Sequence, residues 1–265
     1  MKTVLFFIKA LSNLHVGSGE INYGLVDNLI QRDPVTGLPT INSSSLKGAL
    51  REHFEEVNRK PEVNVKHLFG SEPKAKSDQR TPGSLRFFDA DLVGIPVRTT
   101  GGNFPYVFVS SKENLSRIRK RLDTFGINAL YLENIGDLPK TQNKPEQKVE
   151  IEDLQGKYQY ATTGKFKEII DERIAIVGEK ELDILCNNEH LPVISRNCLE
   201  DGISTNLFYE QVLPRYSRLC TVVMGADADV EVFCKALENE VVQIGGNATI
   251  GYGYCQFLTF NTEQK

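Results

Sequence analysis

The chain has 265 residues, and 40% of them are hydrophobic, which is enough to bury the core of one large domain. No apolar run approaches the roughly 18 residues of a membrane span, and Lys9 interrupts the apolar start too early for a signal peptide, so we expect a soluble, cytoplasmic protein without a membrane partner. The formal net charge of −4 excludes a generally basic surface, so any site for nucleic acid must be local.

The first forty residues alternate extended runs with turns. Residues 3–11 predict a buried strand, and the glycine-bearing residues 15–19 predict a loop. A second extended run covers residues 25–31 and ends in a turn marked by Pro34 and Gly37.

The clearest helix of the sequence comes next. Apolar side chains recur at helical spacing from position 46 to 57, behind three candidate N-cap residues, Ser43, Ser44 and Ser45. Lys47 and Arg51 lie one helical turn apart near the free N–H groups of the first turn, where they can seat a phosphate. A capped surface helix with solvated charges has the same pattern, so this helix alone does not decide between the two interpretations.

The middle of the chain offers a second group of acids. Residues 85–92 predict a strand with Asp89 and Asp91 on one face, where the two carboxylates could bind a metal or simply face solvent or cap a loop. Residues 111–125 predict a helix with a basic cluster. The polar segment from about 137 to 165 has no firm period, and we interpret it as an insertion or a mobile loop.

The last third returns to regular structure. We predict strands near residues 191–195, 206–212 and 219–224, a polar hairpin between the first two, and a helix over residues 229–240. Two β-α-β-like halves, one near each end of the chain, fit an α+β, ferredoxin-like core with insertions.

A glycine-rich tail closes the chain. Its glycines, Gly245, Gly246, Gly251 and Gly253, let the backbone approach a ligand closely and present N–H groups to phosphate oxygens. The tail matches neither the P-loop nor the dinucleotide-binding motif, and a tight turn between the last helix and strand explains it equally well.

The absence of known catalytic motifs disfavours several classes of enzyme. The sequence has no G-x-S-x-G, no H-E-x-x-H and no C-x-x-C among its five cysteines, which disfavours serine hydrolases, zinc proteases and thiol enzymes. Asp27 is a candidate carboxylate for phosphodiester cleavage, but an acid in a loop or at a strand end is usually a cap or turn residue. His15 is a candidate general base or phosphate ligand, although a lone loop histidine is more often neither.

Several short segments nevertheless occur in a fixed order along the whole chain. They are LHVGSG at 14–19, VD and IQR within 26–32, GLP at 37–39, SSLKGALR at 44–51, LFG at 68–70, FDA at 88–90, PVR at 96–98, LFYE and LP within 207–214, and QIGGNATIGYG at 243–253. In this order they resemble the RAMP superfamily of CRISPR proteins. They are most similar to the family of the fourth Cmr protein, the backbone subunits of type III-B (Cmr-type) effector complexes.

The resemblance implies a single domain over residues 1–265, with a ferredoxin-like palm and a protruding thumb hairpin at about residues 194–207. Copies of such a subunit are expected to stack head to tail along a guide RNA, together with other Cmr subunits. The implied guide contacts fall on the helix that carries Lys47 and Arg51 and on the glycine-rich tail. In full, the expected RNA-binding residues are Ser44, Ser45, Lys47, Arg51, Gly245, Gly246, Asn247, Thr249 and Gly251.

The resemblance also implies an activity, namely cleavage of complementary target RNA at regular intervals. The matching catalytic position is Asp27, acting with a divalent metal, Mg or Mn, that it would bind, and His15 lies close by in the same pattern. Relatives commonly carry Leu-Pro after this aspartate, whereas Asn28 and Leu29 follow it here.

Three other interpretations remain open at this point. The chain could be the backbone subunit of a type III-A (Csm-type) complex, or a non-catalytic RNA-binding scaffold in which Asp27 is only structural. A RAMP endonuclease that processes precursor RNA on its own is the third.

Overall fold

The computed structural model describes residues 1–19, 24–57, 59–71, 80–100, 104–142, 148–200 and 203–259. The strands are β1 (Lys2–Ala10), β2 (Thr40–Ile41), β3 (Arg86–Phe87), β4 (Ala90–Thr100), β5 (Tyr106–Ser111), β6 (Lys148–Ile151), β7 (Lys157–Thr162), β8 (Arg173–Val177), β9 (Val193–Glu200), β10 (Ile203–Gln211), β11 (Arg218–Gly225), β12 (Val241–Gln243) and β13 (Tyr254–Leu258). The α-helices are α1 (Ser43–Glu52), α2 (Val65–Phe69), α3 (Lys112–Thr124), α4 (Tyr131–Thr141), α5 (Glu179–Cys186) and α6 (Asp227–Leu237).

One large mixed sheet organises the molecule. Across the described residues it has eleven strands in the order β12-β13-β1-β11-β4-β5-β8-β7-β6, with β2 paired to β4 and β3 to β11. β1 is antiparallel to both β11 and β13, β11 is antiparallel to β4, and β5 is parallel to β8. Helices follow β2, β5, β8 and β11 in the chain, which makes this a mixed α and β fold.

Strand β1 is apolar on both faces because both faces of the sheet are covered. Successive side chains of a strand point to opposite sides. Phe6 and Ile8 therefore join a core cluster that includes Leu46 of α1 and Phe233 of α6. Phe7 joins a second cluster that includes Leu115, Ile118 and Leu132 of α3 and α4. This double coverage explains the unbroken apolar run that predicted β1.

Several predicted elements, among them β1, α3 and β11, are confirmed within about two residues. The single strand predicted over residues 85–92 is wrong, because this segment divides into β3 and β4 and leaves Asp89 between them. The extended run at 25–31 and the mobile-loop interpretation of 137–165 are also wrong. The run at residues 25–31 forms only isolated bridges, at Asn28 and Ile30, because it docks on other segments instead of joining the sheet. The segment 137–165 is not one irregular loop: α4 continues to Thr141, and β6 and β7 pair with each other and extend the sheet. Residues 143–147 lie outside the described residues.

The signal for β6 and β7 is short and hidden among polar residues. Val149, Ile151 and Ala161 are buried, whereas most of their neighbours are half-buried or exposed. Strands of four and six residues at the end of a sheet give too few alternations for the sequence pattern to reveal them.

A two-stranded antiparallel sheet, β9 with β10, stands apart from the large sheet. The hairpin predicted at about 194–207 falls inside this pair, which extends further, from Val193 to its partner Gln211. We call β9 and β10 the hairpin, and residues 193–196 with 208–211 the hairpin base. The turn residues 201–202 lie outside the described residues. In the part of the chain that the structure describes, no helix has the length and apolar character needed to cross a membrane.

Candidate active site at the hairpin base

The loop that carries Asp27 runs along β10 and is held there by backbone hydrogen bonds. Asn28 N–H donates to the Tyr209 carbonyl at 3.1 Å, and Gln211 N–H donates to the Asn28 carbonyl at 2.9 Å. The exposed Asp27 carboxylate accepts a hydrogen bond from Tyr209 N–H at 2.8 Å through Oδ2. Its Oδ1 has no hydrogen-bond partner among the described residues. One carboxylate oxygen is therefore anchored on the hairpin, and the other is available to a ligand.

Beside Asp27, a buried glutamate joins three parts of the chain. Glu210 is 5% exposed, and its Oε2 accepts from Arg196 Nη1 at 2.8 Å and from Asn247 Nδ2 at 2.9 Å. Arg196 Nη1 also donates to Asn247 Oδ1, and Asn28 Nδ2 donates to Glu210 Oε1 at 3.4 Å. Arg196 neutralises the buried charge of Glu210, so the network ties the Asp27 loop, both hairpin strands and the glycine-rich tail together.

The Asp27 loop, the hairpin base and the glycine-rich tail meet at one place, which we call the Asp27 junction. His15 lies in the interior of this junction. Its side chain is buried, and Nδ1 donates to the Gln211 carbonyl at 2.7 Å, since a carbonyl can only accept. The His15 carbonyl accepts from Gly246 N–H at 2.9 Å. The His15 imidazole therefore fixes the first loop to the hairpin, and its backbone carbonyl fixes the loop to the tail.

The tail residues fall into two groups. Gly245 has φ +85°, and a Cβ there would lie 2.2 Å from the His15 carbonyl oxygen, so only glycine fits this approach. Thr249 and Gly251 are exposed and face open space; Gly251 also has a left-handed φ of +83°. Asn247 is left-handed too and is half-buried in the Glu210 network.

The start of α1 completes the junction through Gln31. Its Nε2 donates to the Gly17 carbonyl at 3.2 Å and to Ser45 Oγ at 3.0 Å, and its Oε1 accepts from Asn42 N–H at 2.8 Å. Ser44 is exposed beside it. This single buried amide fixes the first loop to the first turn of the helix.

The two predicted cations of α1 have different surroundings. Lys47 is half-buried and has no ion pair among the described residues. Arg51 is only 13% exposed at its side chain and is engaged with Glu55, its ion-pair partner at 2.8 Å, and with the Ser71 carbonyl at 2.9 Å. The geometry therefore keeps Lys47 as a phosphate-binding candidate and argues against Arg51.

The second group of acids has structural partners. Asp89 accepts from Ser43 N–H at 2.6 Å and so caps α1, which begins after Asn42 without a side-chain cap of its own. Asp91 is paired with Arg121. Among the possibilities raised for these carboxylates, the capping role is the one that the structure displays for Asp89.

Comparison with known proteins places the chain in a family. The sequence model of the RAMP superfamily matches residues 7–256 of this chain. The chain belongs to the RAMP superfamily. Across 284 aligned residues it is 28% identical to the CRISPR system Cmr endoribonuclease Cmr4 of Pyrococcus furiosus, covering 96% of this chain and 94% of that protein.

Two solved structures have the same RAMP fold. A chain of the type III-B Cmr-beta complex bound to cognate target RNA superposes with a TM-score of 0.77 at 23% identity, covering 97% of this chain and 96% of that chain. Oligomeric Cmr4 from Pyrococcus furiosus gives a TM-score of 0.66 at 22% identity, with 97% of both chains covered.

In this RAMP protein, Asp27 offers a metal an exposed carboxylate. Among the described residues, no three His, Cys, Asp or Glu side chains come together in a way that could hold an ion. Mg²⁺ usually retains several waters and binds through one or two carboxylates plus phosphate oxygens, which fits a single exposed carboxylate such as Asp27 beside an RNA backbone.

Sequence reasoning missed the residues that join the site of this RAMP protein. Gln31, Arg196, Glu210 and Gln211 hold the loop, the helix, the hairpin and the tail in place, yet each reads in sequence as an ordinary polar residue. The one available signal was position, since Gln31 and Glu210 fall inside the segments that carry the family resemblance.

Proposed function

We propose that this RAMP protein is the backbone subunit of a type III-B CRISPR effector complex. It binds guide RNA and cleaves complementary target RNA at regular intervals. The observation that carries the proposal is the exposed Asp27 carboxylate, held at the hairpin base by Tyr209 N–H. The relation to a Cmr endoribonuclease along nearly the whole chain supports the same activity.

The palm of this subunit is the ferredoxin-like part of the large sheet. Four strands in the order β13-β1-β11-β4, each antiparallel to the next, support this assignment. In the chain, α1 lies between β1 and β4, and α6 lies between β11 and β13, as a ferredoxin-like order requires. The hairpin is then the thumb, and copies stack head to tail along the guide with other Cmr subunits as partners.

Cleavage by the neighbouring 2′-hydroxyl needs a group that assists deprotonation and a means of stabilising charge on the phosphate. Asp27 presents for the first role its Oδ1, which has no hydrogen-bond partner among the described residues. A divalent cation, Mg²⁺ or Mn²⁺, held by Asp27 and phosphate oxygens would supply the second. His15 contributes by positioning the loop, because its Nδ1 is engaged with Gln211 and its side chain is buried.

Guide RNA contacts fall on the exposed surface around this junction. Lys47 is a cation without an ion pair in the described structure, and Ser44 lies near the start of the same helix. On the tail, Thr249 and Gly251 are exposed. Gly246 N–H donates to the His15 carbonyl, and Asn247 donates to Glu210. Binding through phosphates predicts an affinity that falls with salt by a slope of about −0.7 per phosphate neutralised on single strands.

The deciding experiment compares wild type, Asp27→Asn and a matched control, Asp183→Asn, in the assembled complex with guide and complementary RNA. Asp183 is an exposed acid of α5 and has no hydrogen bond to the hairpin base among the described residues. We expect Asp27→Asn to assemble normally and to lose at least about 100-fold in cleavage rate, as removal of a positioned acid-base group does. Cleavage should also require divalent metal.

Two outcomes would favour the alternatives. If Asp27→Asn cuts as fast as wild type, the subunit is an RNA-binding scaffold and the nuclease lies elsewhere. If the chain assembles with Csm-type and not Cmr-type partners, it belongs to a type III-A complex with the same chemistry.

A further inference from the structure

A second concave surface lies next to the hairpin, separate from the Asp27 junction. It is a cavity of about 640 Å³, a size typical of small-molecule sites. Four of its lining residues are prolines, Pro96, Pro105, Pro192 and Pro214. Proline has a fixed φ and no N–H donor, so this wall is rigid and apolar before any ligand arrives.

A column of flat groups forms another part of the cavity. The rings of Tyr106 and Tyr216 stack with centroids 5.9 Å apart and 20° between their planes. The Arg215 guanidinium lies 5.4 Å from the centre of the Tyr216 ring. Arg215 is exposed and has no ion pair among the described residues, so its guanidinium is available to a ligand.

The fold holds this column in place at some conformational cost. Tyr216 has φ +72°, a left-handed conformation that is unusual for an aromatic residue. Its N–H donates to the Ala10 carbonyl, and its carbonyl accepts from the buried Arg218 guanidinium, each at 2.6 Å. Tyr106 is fixed by donation from its hydroxyl to Asp171 at 3.1 Å.

The charges that line the cavity are mixed. Arg98 has a 79% exposed side chain and lies 3.3 Å from Glu152, and Asp153 is exposed on the same rim. Two carboxylates beside two arginines do not favour a phosphate. They do suit a flat, neutral ligand that stacks on a guanidinium and donates hydrogen bonds to carboxylate oxygens.

We infer that this cavity binds a nucleobase of single-stranded RNA. The base stacks on Arg215 at the end of the Tyr106–Tyr216 column, and its exocyclic amino group donates to Glu152 or Asp153. Adenine, cytosine and guanine have such an amino group, whereas uracil does not, so the site prefers the first three. The inference rests on the proposed RNA-binding function and adds a second contact, outside the Asp27 junction.

The test combines affinity with mapping. Full-length protein is titrated into labelled 12-nucleotide poly(A), poly(C) and poly(U) RNA. Variants are Arg215→Ala, Arg215→Lys and the matched control Arg59→Ala, which removes another exposed arginine, one with a 75% exposed side chain. Loss of one stacked base should weaken binding of poly(A) by about tenfold in Arg215→Ala. Arg215→Lys should be nearly as weak, because lysine keeps the charge and loses the plane.

Ultraviolet cross-linking then locates the base, with Tyr216→Asn and Tyr216→Phe as a pair. Asparagine tolerates the left-handed backbone but removes the ring, whereas phenylalanine keeps the ring. Mass spectrometry should find nucleotide adducts on the peptides of Tyr106 or Tyr216 in wild type and Tyr216→Phe, and none there in Tyr216→Asn.

Four outcomes would overturn the inference. Adducts confined to the hairpin and tail, or an Arg215→Lys variant that binds as wild type does, leave the RNA-binding function intact and remove this site. Cross-links from Tyr216 to a neighbouring subunit show that protein fills the cavity. If wild-type protein and assembled complex bind no RNA, the proposed function fails together with the inference.

Discussion

Two regions of the molecule join distant parts of the chain by opposite means. Around Phe233 of α6, the rings of Phe6, Phe54, Phe69 and Phe87 lie with centroids 5.7 to 6.2 Å away, and we call these five residues the aromatic cluster. At the hairpin base, the joints are single hydrogen bonds through side chains such as Glu210. Apolar contact is non-directional and hydrogen bonds are directional, so the first region should tolerate changes of shape and the second should not.

The largest expected effect is on the aromatic cluster. Phe233 is fully buried, so Phe233→Ala removes both its transfer free energy and its packing. We expect the free energy of unfolding to fall by about 3–5 kcal/mol, measured by urea denaturation. Phe233→Leu should cost less than half as much, because neighbouring rings can close around leucine. Equal losses in the two variants would contradict the tolerance that we assign to this cluster.

The second prediction sharpens the contrast with a pair of glycines. Gly245 and Gly251 have nearly the same left-handed φ, but a Cβ would meet the His15 carbonyl only at Gly245. Gly251→Ala should cost about 1–2 kcal/mol for its backbone conformation alone. Gly245→Ala should cost at least about 1 kcal/mol more and should also slow target cleavage. Similar thermal stabilities and cleavage rates for the two variants would show that the tail is not fixed at His15.

The third prediction concerns the charge of the Glu210 carboxylate, which accepts hydrogen bonds at the hairpin base. Glu210→Gln keeps the shape of the side chain but weakens its bonds to Arg196 and Asn247, so we expect a loss of about 1–2 kcal/mol. Because Asn28 also contacts Glu210, cleavage should fall more than stability does. Glu52→Gln, an exposed site on α1, is the control and should change neither quantity. A neutral result at Glu210 would mean that backbone bonds alone hold the Asp27 loop.

The smallest effect is a pH dependence at the edge of the aromatic cluster. Burial lowers the pKa of His53, which packs against Phe54, and the nearby Glu240 only partly opposes this effect. Because the folded pKa lies below the ordinary value of 6.5, the stabilisation is complete above that pH and is lost as the pH falls below it. The slope can reach about 1.4 kcal/mol per pH unit.

His53→Gln, compared with wild type by urea denaturation at pH 7.5 and pH 5.5, isolates this contribution. The variant should have a flatter pH dependence across that range. Lys60 and Glu240, which pair with each other at 2.7 Å beside His53, remain in both proteins. An unchanged slope in the variant would assign the pH dependence to other groups.

Sequence patterns predicted the elements of the apolar core well. β1, α3 and α6 were predictable from runs and spacings of apolar residues, because each element buries several side chains and so leaves a repeating pattern in the sequence. β6 and β7 were missed because β6 buries only two side chains and β7 only one. The run at 25–31 was predicted to be extended. It is less regular in the structure because its hydrogen bonds go to the hairpin and to neighbouring loops.

The candidate site was predictable only through the family resemblance. Asp27 and His15 carry no local pattern that distinguishes them from turn residues. Lys47 and Arg51 look equivalent on a helical wheel, and only the position of Glu55 and Ser71 separates them. The Glu210 network depends on residues up to 182 positions apart, a pairing that neither composition nor period can reveal.

The separation of the hairpin from the large sheet has a consequence for its length. In the described residues, side-chain and backbone hydrogen bonds from the hairpin to the rest of the molecule come from Arg196 and from residues 209–211. The outer parts of both strands bond only to each other. Adding two residues to each strand would extend the reach by about 7 Å and keep every side chain on its original face. A longer hairpin would therefore span more of a bound polymer without changing the orientation of the Asp27 carboxylate.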